Sequence, residues 1–387
     1  MRLRLLCPVL ALLSLALILG SCGDGAAKPA GGVTRYPVGA VLEKSGTMEN
    51  WGDSSQKGLE LASEELNGKD GIAFDLFVED NKSTPEQSAN AFISLCNVKN
   101  VLVVIGSVAS SNTRAMKEQA NKLKVPLITH ASTNVQLTKE TEWLFRVCWN
   151  DAFQGAVCAN FAHDQLKAKK AVIVTDSGQD YSRGLSQNFR ETYTKSGGVV
   201  VDELTYQSGD KVFTSQVEKL KSLDVDCVFA SGYAAEVAMM LKAAREAGFS
   251  KPFLGGDGLD DQQFFSIAGP AAGTGVYLCN HAHNDDPDPR VQAFVKAYKA
   301  KYGAVPPNAM AFLAYDALYA VQDSIKRAAQ KGTVTRETLR DAIATIKDLP
   351  LVTGTITIGP DHEVRKRAVV VECQADGTLK FVAEIKP

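Results

Sequence analysis

Small hydroxyl-bearing residues gather at two places where an apolar run ends and a helical or polar stretch begins. The stretch "VLVVIGSVASSNTRAM" (101–116) carries Ser110, and "VPLITHASTN" (125–134) carries Thr133. The first N–H groups of a helix have no partner within the helix, and the helix dipole adds partial positive charge there. Small residues let a ligand approach this backbone. The pattern therefore predicts a cradle for a carboxylate; the alternative is a serine that only caps its own helix.

A complementary set of side chains follows later apolar runs. Asp257 lies among glycines in "LGGDGLDD", Tyr181 lies in "SGQDYSRG", and Tyr233 lies in "SGYAAE". A carboxylate and two phenols can surround an ammonium group. Opposite a carboxylate cradle they predict a site for an α-amino acid. The alternative for Asp257 is that it only shapes its own turn.

Motifs of catalysis and of cofactor binding are missing from the sequence. It contains no GxxxxGK[ST], GxGxxG or G-x-S-x-G pattern. His281 and His283 in "CNHAHNDDPDP" are a weak candidate for a metal pair, and the cysteines lack zinc-type spacing. No nucleophile, base and oxyanion site can be assembled. We therefore expect a binding protein without enzymatic activity, cofactor or metal.

Apolar runs of strand length alternate with amphipathic stretches of helix length along the chain. Strands this apolar predict a mostly parallel sheet covered by helices on both faces. The unit "NVLVVIGS", helix, "VPLITHAS" is echoed later by "DCVFASGY", helix, "KPFLGGDG". This repetition predicts two similar α/β lobes. Because ligands bind at the carboxyl ends of strands in such sheets, the polar clusters should share one crevice.

The N-terminus has the pattern of an export signal. Arg2 and Arg4 precede an apolar stretch that ends in "LGSC", which predicts a signal peptide over residues 1–21. The ending resembles a bacterial lipobox, in which Cys22 would carry lipid and 22–35 would be a flexible tether. An ordinary cleaved signal and a membrane anchor are the alternatives. The formal net charge of −2, without a basic block, argues against nucleic acid as a partner.

The remaining cysteines lie in the body of the chain. An exported protein can form disulfides, but several of these residues lie inside apolar runs, which favours buried thiols. They are Cys96, Cys148, Cys158, Cys227, Cys279 and Cys373.

Taken in order, these motifs resemble the branched-chain (leucine/isoleucine/valine) amino-acid-binding proteins of bacterial ABC transporters. The likeness covers nearly all of residues 36–387 and rests on "GDSSQKGLELASEELN", "GSVASSNTRAM", "VPLITHASTN", "FRVCWNDAFQGA", "DSGQDYSRGL", "ASGYAAE", "FLGGDGL" and "AFLAYDALY". It implies the type I periplasmic-binding-protein fold. One lobe would comprise 36–150 with 280–352, and the other 151–279 with 353–387. A multi-strand hinge would let the lobes close on a ligand.

The resemblance also implies roles for individual residues. The residues expected to hold the ligand carboxylate are Ser110, Ala131 and Thr133. Those expected around its ammonium group are Tyr181, Tyr233 and Asp257. Trp51 is expected to form an aromatic wall of the pocket. Met310 or Phe312 is expected to contact the ligand side chain. The sequence departs from the family in that Asp257 stands where some members have Glu, Ala109 occupies one place of the family disulfide, and His130 replaces a small residue or proline.

The implied function is that of an extracytoplasmic, lipid-anchored protein of the cell envelope. It would bind an aliphatic amino acid and deliver it to the permease subunits of an ABC transporter in the membrane. The alternative is a binding protein or receptor-sensor subunit for another small carboxylate, amide or aromatic ligand.

Overall fold

The computed structural model describes residues 32–273 and 275–386. The predicted signal peptide, the predicted lipidation site Cys22 and most of the predicted tether lie outside the described residues. Within the described part of the chain, no helix is both long enough and apolar enough to cross a membrane.

The first lobe is built on a five-stranded parallel sheet with the order β2-β1-β3-β4-β5. Its strands are β1 (Thr34–Leu42), β2 (Ile72–Asp80), β3 (Val103–Gly106), β4 (Leu127–Thr129) and β5 (Leu144–Arg146). Its helices are α1 (Glu49–Leu66), α2 (Pro85–Asn97), α3 (Ser110–Leu123), α9 (Pro289–Tyr302), α10 (Met310–Lys331) and α11 (Arg336–Ala344). The core strands β3, β4 and β5 are fully buried and mostly apolar, as expected for a sheet covered on both faces.

The second lobe contains a seven-stranded sheet with the order β14-β13-β10-β9-β8-β6-β7. Its strands are β6 (Lys170–Asp176), β7 (Val199–Tyr206), β8 (Cys227–Ser231), β9 (Phe253–Gly255), β10 (Val276–Asn280), β13 (Ala368–Cys373) and β14 (Leu379–Ile385). Its helices are α4 (Asp151–Asn160), α5 (Asp180–Lys195), α6 (Thr214–Ser222), α7 (Ala234–Glu246) and α8 (Gln262–Ala268). The sheet is parallel from β7 to β10, and β13 and β14 add antiparallel pairs. The predicted fold class of two mostly parallel α/β lobes is confirmed.

The chain crosses between the lobes after β5, after β10 and before β13. Near the last crossing, β11 (Leu349–Leu351) and β12 (Gly354–Ile356) form a hairpin on the first lobe. Ile356, Ile358 and Val364 belong to the core of that lobe. The first lobe therefore continues past residue 352, where the sequence analysis placed its boundary.

A buried carboxylate fixes this hinge segment. Asp316 on α10 accepts hydrogen bonds from the backbone N–H groups of Val352 and Thr353 at 2.8 and 2.9 Å, and from the Thr353 hydroxyl at 2.6 Å. The ammonium group of Lys366, also buried, contacts the same hydroxyl. These polar groups hold the start of the crossing strand against the first lobe.

The six cysteines of the described residues are all buried thiols without a disulfide. Burial raises the pKa of Cys96, Cys148 and Cys227 to about 12. These thiols therefore stay protonated at neutral pH and act as small apolar side chains.

Candidate functional site

A small, closed-down cavity lies between the lobes, at the carboxyl ends of strands from both sheets. All of the residues to which the sequence analysis assigned a ligand contact line it, apart from the alternative Phe312. The lining consists of Trp51, Val108, Ser110, Ala131, Thr133, Tyr181, Tyr233, Asp257, Gly258 and Met310. Phe312 instead packs in the first lobe's core, with its ring 4.4 Å from that of Phe294.

The wall from the first lobe includes two hydroxyl-bearing residues, Ser110 and Thr133. Ser110 is the first residue of α3, whose N-cap is Ala109, so it does not serve as the cap residue. The Ser110 hydroxyl accepts the backbone N–H of Asn134 at 3.3 Å, which leaves its own hydrogen for the cavity. The carbonyl of Thr133 accepts the backbone N–H of Asp151 at 2.9 Å, and this contact anchors the neighbouring strand end.

Most of the other hydroxyls in these two stretches turn away from the cavity. The side chains of Thr129 and Ser132 donate to the carbonyl of Ser107 at 3.0 Å each. The hydroxyl of Thr113 lies 2.7 Å from that of Ser132. The expectation that the whole cluster forms a ligand cradle therefore needs correction: most of the hydroxyls connect the two strand ends to each other.

A buried carboxylate of the protein itself occupies part of the predicted anion cradle. Glu43, which directly follows β1, is fully buried. It accepts the Ser107 hydroxyl at 2.6 Å, the backbone N–H groups of Val108 and Ala109 at 3.2 and 3.3 Å, and the Asn112 amide at 3.0 Å. The sequence analysis did not identify Glu43, because it lies about sixty residues before its partners.

The wall from the second lobe is centred on Asp257, which begins a short 3-10 turn after β9. Its Oδ1 accepts the side-chain amide of Gln154 at 2.7 Å, and its Oδ2 lies 3.0 Å from Nε2 of His281. The carboxylate therefore bonds to side chains of other elements. Its neighbour must be glycine, since a Cβ on Gly258 would lie 2.6 Å from the carbonyl oxygen of Gly232.

His281 is a supporting residue that the sequence analysis considered only as a weak metal ligand. Its ring stacks on Trp149 with centroids 3.6 Å apart. Burial lowers the pKa of His281 to about 4, so the ring is neutral at neutral pH and donates from Nε2 to Asp257. Among the described residues no group of side chains has the arrangement of a metal site.

Three aromatic rings close the cavity around Asp257. Tyr181 and Tyr233 stack with centroids 5.3 Å apart, and the edge of Trp51 meets Tyr233 at 5.5 Å. Burial, and next the charge of Asp257, raise the pKa of both tyrosines well above the usual range. Both phenols therefore stay neutral. The Tyr181 oxygen accepts the backbone N–H of Gly258 at 3.1 Å, which leaves its hydrogen as a donor.

Hydrogen bonds between the lobes show that the structure is a closed form. The indole N–H of Trp51 donates to the carbonyl of Asp260 at 2.8 Å. Elsewhere the amide of Asn134 donates to the carbonyl of Asp180 at 2.7 Å. The lining residues Ser110 and Thr133 are each 1 % exposed and Asp257 is 4 % exposed, so a ligand here would be removed from solvent.

Known proteins are similar to this chain over most of its length. The family model described as "Periplasmic binding protein" matches residues 35–378. A Leu/Ile/Val-binding protein homolog from Brucella melitensis is 29% identical over 83% of this chain and 86% of its own length.

Two solved structures are similar over the whole fold. A leucine-binding protein from Thermotoga maritima is 34% identical with a TM-score of 0.86, covering 91% of this chain and 99% of that one. A branched-chain amino acid substrate-binding protein from Streptococcus pneumoniae, solved with isoleucine, is 32% identical with a TM-score of 0.84, covering 91% and 100%. These matches confirm the resemblance that the motifs indicated.

Proposed function

Since the chain belongs to the periplasmic binding protein family, we propose that it binds a free aliphatic amino acid between its lobes. Closure would bury the ligand, and opening would release it unchanged to the permease of an ABC transporter. The relatives named above support this proposal, because their names describe leucine, isoleucine or valine as ligands.

The arrangement of Asp257 opposite Ser110 and Thr133 is the observation that carries this proposal. These residues come from different lobes and line the same small cavity. A carboxylate on one wall attracts an ammonium group, while hydroxyls and the start of α3 on the other wall donate to a carboxylate. Ala131 and the two tyrosines would complete the contacts to these two ends.

The apolar part of the lining supports an aliphatic side chain. Val108 and Met310 line the cavity together with Trp51, and all three belong to one buried apolar cluster. A polar or charged ligand side chain would have to be desolvated against these groups, which is unfavourable without a partner. An aliphatic group instead gains free energy by leaving water.

We further propose that the protein is exported and held at the cell envelope by lipid on Cys22. The sequence "LGSC" directly after an apolar signal supports this assignment. The lobes would then lie outside the cytoplasm, tethered close to the membrane that contains the permease.

The experiment that tests the amino-acid assignment removes the charge of Asp257. Asp257→Asn should weaken leucine binding at least a hundredfold, because an unpaired buried ammonium costs about 3–5 kcal/mol. It should not weaken binding of 4-methylpentanoate, which lacks the amine and gains from the loss of a like charge. Calorimetric titration of both ligands measures this, and Asp75→Asn, on an exposed surface pair, is the matched control. Equal losses for both ligands would contradict the assignment.

A further inference from the structure

Glu43 has the environment of an ionised carboxylate inside the first lobe. All four of its bonding partners are donors, from the side chains of Ser107 and Asn112 and the backbone of Val108 and Ala109. Its side chain is fully buried. Hydrogen bonds to a charged acceptor are stronger than neutral ones, so this arrangement keeps a negative charge fixed beside the start of α3.

This charge lies directly behind the cavity wall. Val108, whose N–H donates to both oxygens of Glu43 at 3.2 Å, itself lines the cavity. Ser110, which we assign to the ligand carboxylate, follows two residues later. Tyr233 lies across the cavity. Burial, the charge of Asp257 and then the charge of Glu43 all raise the pKa of its phenol.

The cavity contains no compensating cation. None of the ten residues that line it is lysine or arginine. Asp257 supplies a second negative charge on the opposite wall. A helix N-terminus is favourable for an anion because its N–H groups and dipole point toward it, and Glu43 bonds to the two N–H groups directly before α3, those of Val108 and Ala109. A ligand carboxylate at the start of α3 therefore meets a like charge close behind the cavity wall.

We propose that Glu43 is a specificity-determining residue that sets the charge accepted at the carboxylate end of the ligand. Its negative charge disfavours ligands that carry a carboxylate without an ammonium group. It also reduces the ratio of the affinity for an amino acid to the affinity for its carboxamide, in which the carboxylate is replaced by a neutral amide. This inference rests on the proposed function, and it adds a determinant that the sequence motifs did not contain.

The test compares leucine with leucinamide, which keeps the ammonium group but replaces the carboxylate by an amide. Titrations run at about pH 6, where both α-amino groups are protonated. Glu43→Gln removes the charge, so the leucine-to-leucinamide affinity ratio should rise about tenfold or more. Glu43→Asp keeps the charge and serves as the matched control, with a ratio close to that of the wild type.

The ratio separates an electrostatic role from a structural one. If Glu43 only holds the segment before α3, its loss weakens both ligands together and the ratio stays constant, which overturns the inference. The wild type supplies a second measurement that needs no variant to fold. It should bind leucinamide within about a hundredfold of leucine, and a larger preference for leucine overturns the inference as well.

Failure of this inference and failure of the proposed function give different results. A wild type that binds neither leucine nor leucinamide contradicts the proposed function. A wild type that binds leucine, with a ratio that Glu43→Gln does not change, contradicts only the role of Glu43.

Discussion

The imidazole of His281 links the stacked ring of Trp149 to the carboxylate of Asp257, with Nε2 lying 3.0 Å from Oδ2. The stack fixes the plane of the imidazole, and the hydrogen bond fixes one oxygen of the carboxylate. Gln154 holds the other oxygen. Asp257 is thus positioned before any ligand arrives, which reduces the entropy lost when an ammonium group binds.

His281→Ala should therefore weaken leucine binding about tenfold, because Asp257 loses one of the two groups that orient it. Binding of 4-methylpentanoate should not change, since it makes no use of Asp257. Calorimetry with both ligands measures the difference. His283→Ala is the matched control, because its ring nitrogen accepts the backbone N–H of Asp285. An equal loss of affinity for both ligands would show that His281 contributes only to packing.

Ser110→Ala and Thr133→Ala should each lower the affinity for leucine by a factor of about ten to a hundred. Each removes a hydrogen bond to a charged group, worth about 1.5–3 kcal/mol. Ser132→Ala is the control, since that hydroxyl bonds to the carbonyls of Ser107 and Val108 inside the protein. It should lower thermal stability and leave leucine affinity unchanged. Unchanged affinity in both test variants would contradict the assigned contacts.

His130 makes the stability of the protein depend on pH. The ring is fully buried beside Ser55, and burial lowers its pKa to about 3. Because the folded pKa is below the unfolded value of about 6.5, the unfolded chain binds the proton more tightly. Stability is therefore complete above pH 6.5 and falls as the pH drops toward 3.

The measurement compares the wild type with His130→Gln, which cannot titrate there. Between pH 7 and pH 5 the wild type should lose about 2 kcal/mol of unfolding free energy relative to the variant, at about 1.4 kcal/mol per pH unit below 6.5. Urea unfolding at both pH values gives this difference and cancels the contribution of other buried acids. A constant difference would show that His130 keeps its ordinary pKa.

Cys22→Ala tests the proposed lipid anchor. The variant should move from the membrane fraction to the soluble fraction in detergent partitioning, because the acyl chains are lost. Leucine affinity should stay the same, since residue 22 precedes the two lobes. A variant that remains with the membranes would indicate another means of attachment.

The sequence predicted the parts of the site that follow from regular structure. Parallel strands end at the same edge of a sheet, so the polar residues after β3 and β4 had to lie close to one another. The repeated unit predicted the same arrangement for Tyr233 and Asp257 in the second lobe. These positions needed only the alternation of strands and helices.

The supporting residues could not be predicted because their contacts depend on details of packing. Glu43 follows an ordinary apolar strand, and nothing around it indicates that it will face the start of α3. His281 is separated from Asp257 by 24 positions in the chain, and its side chain reaches that carboxylate only through the register of β9 and β10. Thr129 and Ser132 are hydroxyl residues at strand ends, just as Ser110 is a hydroxyl residue at a helix start, so the sequence does not distinguish them. In the structure their hydroxyls bond to the Ser107 carbonyl, whereas Ser110 lines the cavity.

The hydrogen bond from Trp51 to the carbonyl of Asp260 has a consequence for timing. It joins the ring that covers the cavity to the opposite lobe, so it must break whenever the lobes separate. Because opening breaks this bond, the bond slows opening and lengthens the time for which a ligand stays bound. A permease that draws the lobes apart would have to supply this energy. The indole would then move from a buried to a hydrated environment, so its fluorescence would report each opening event.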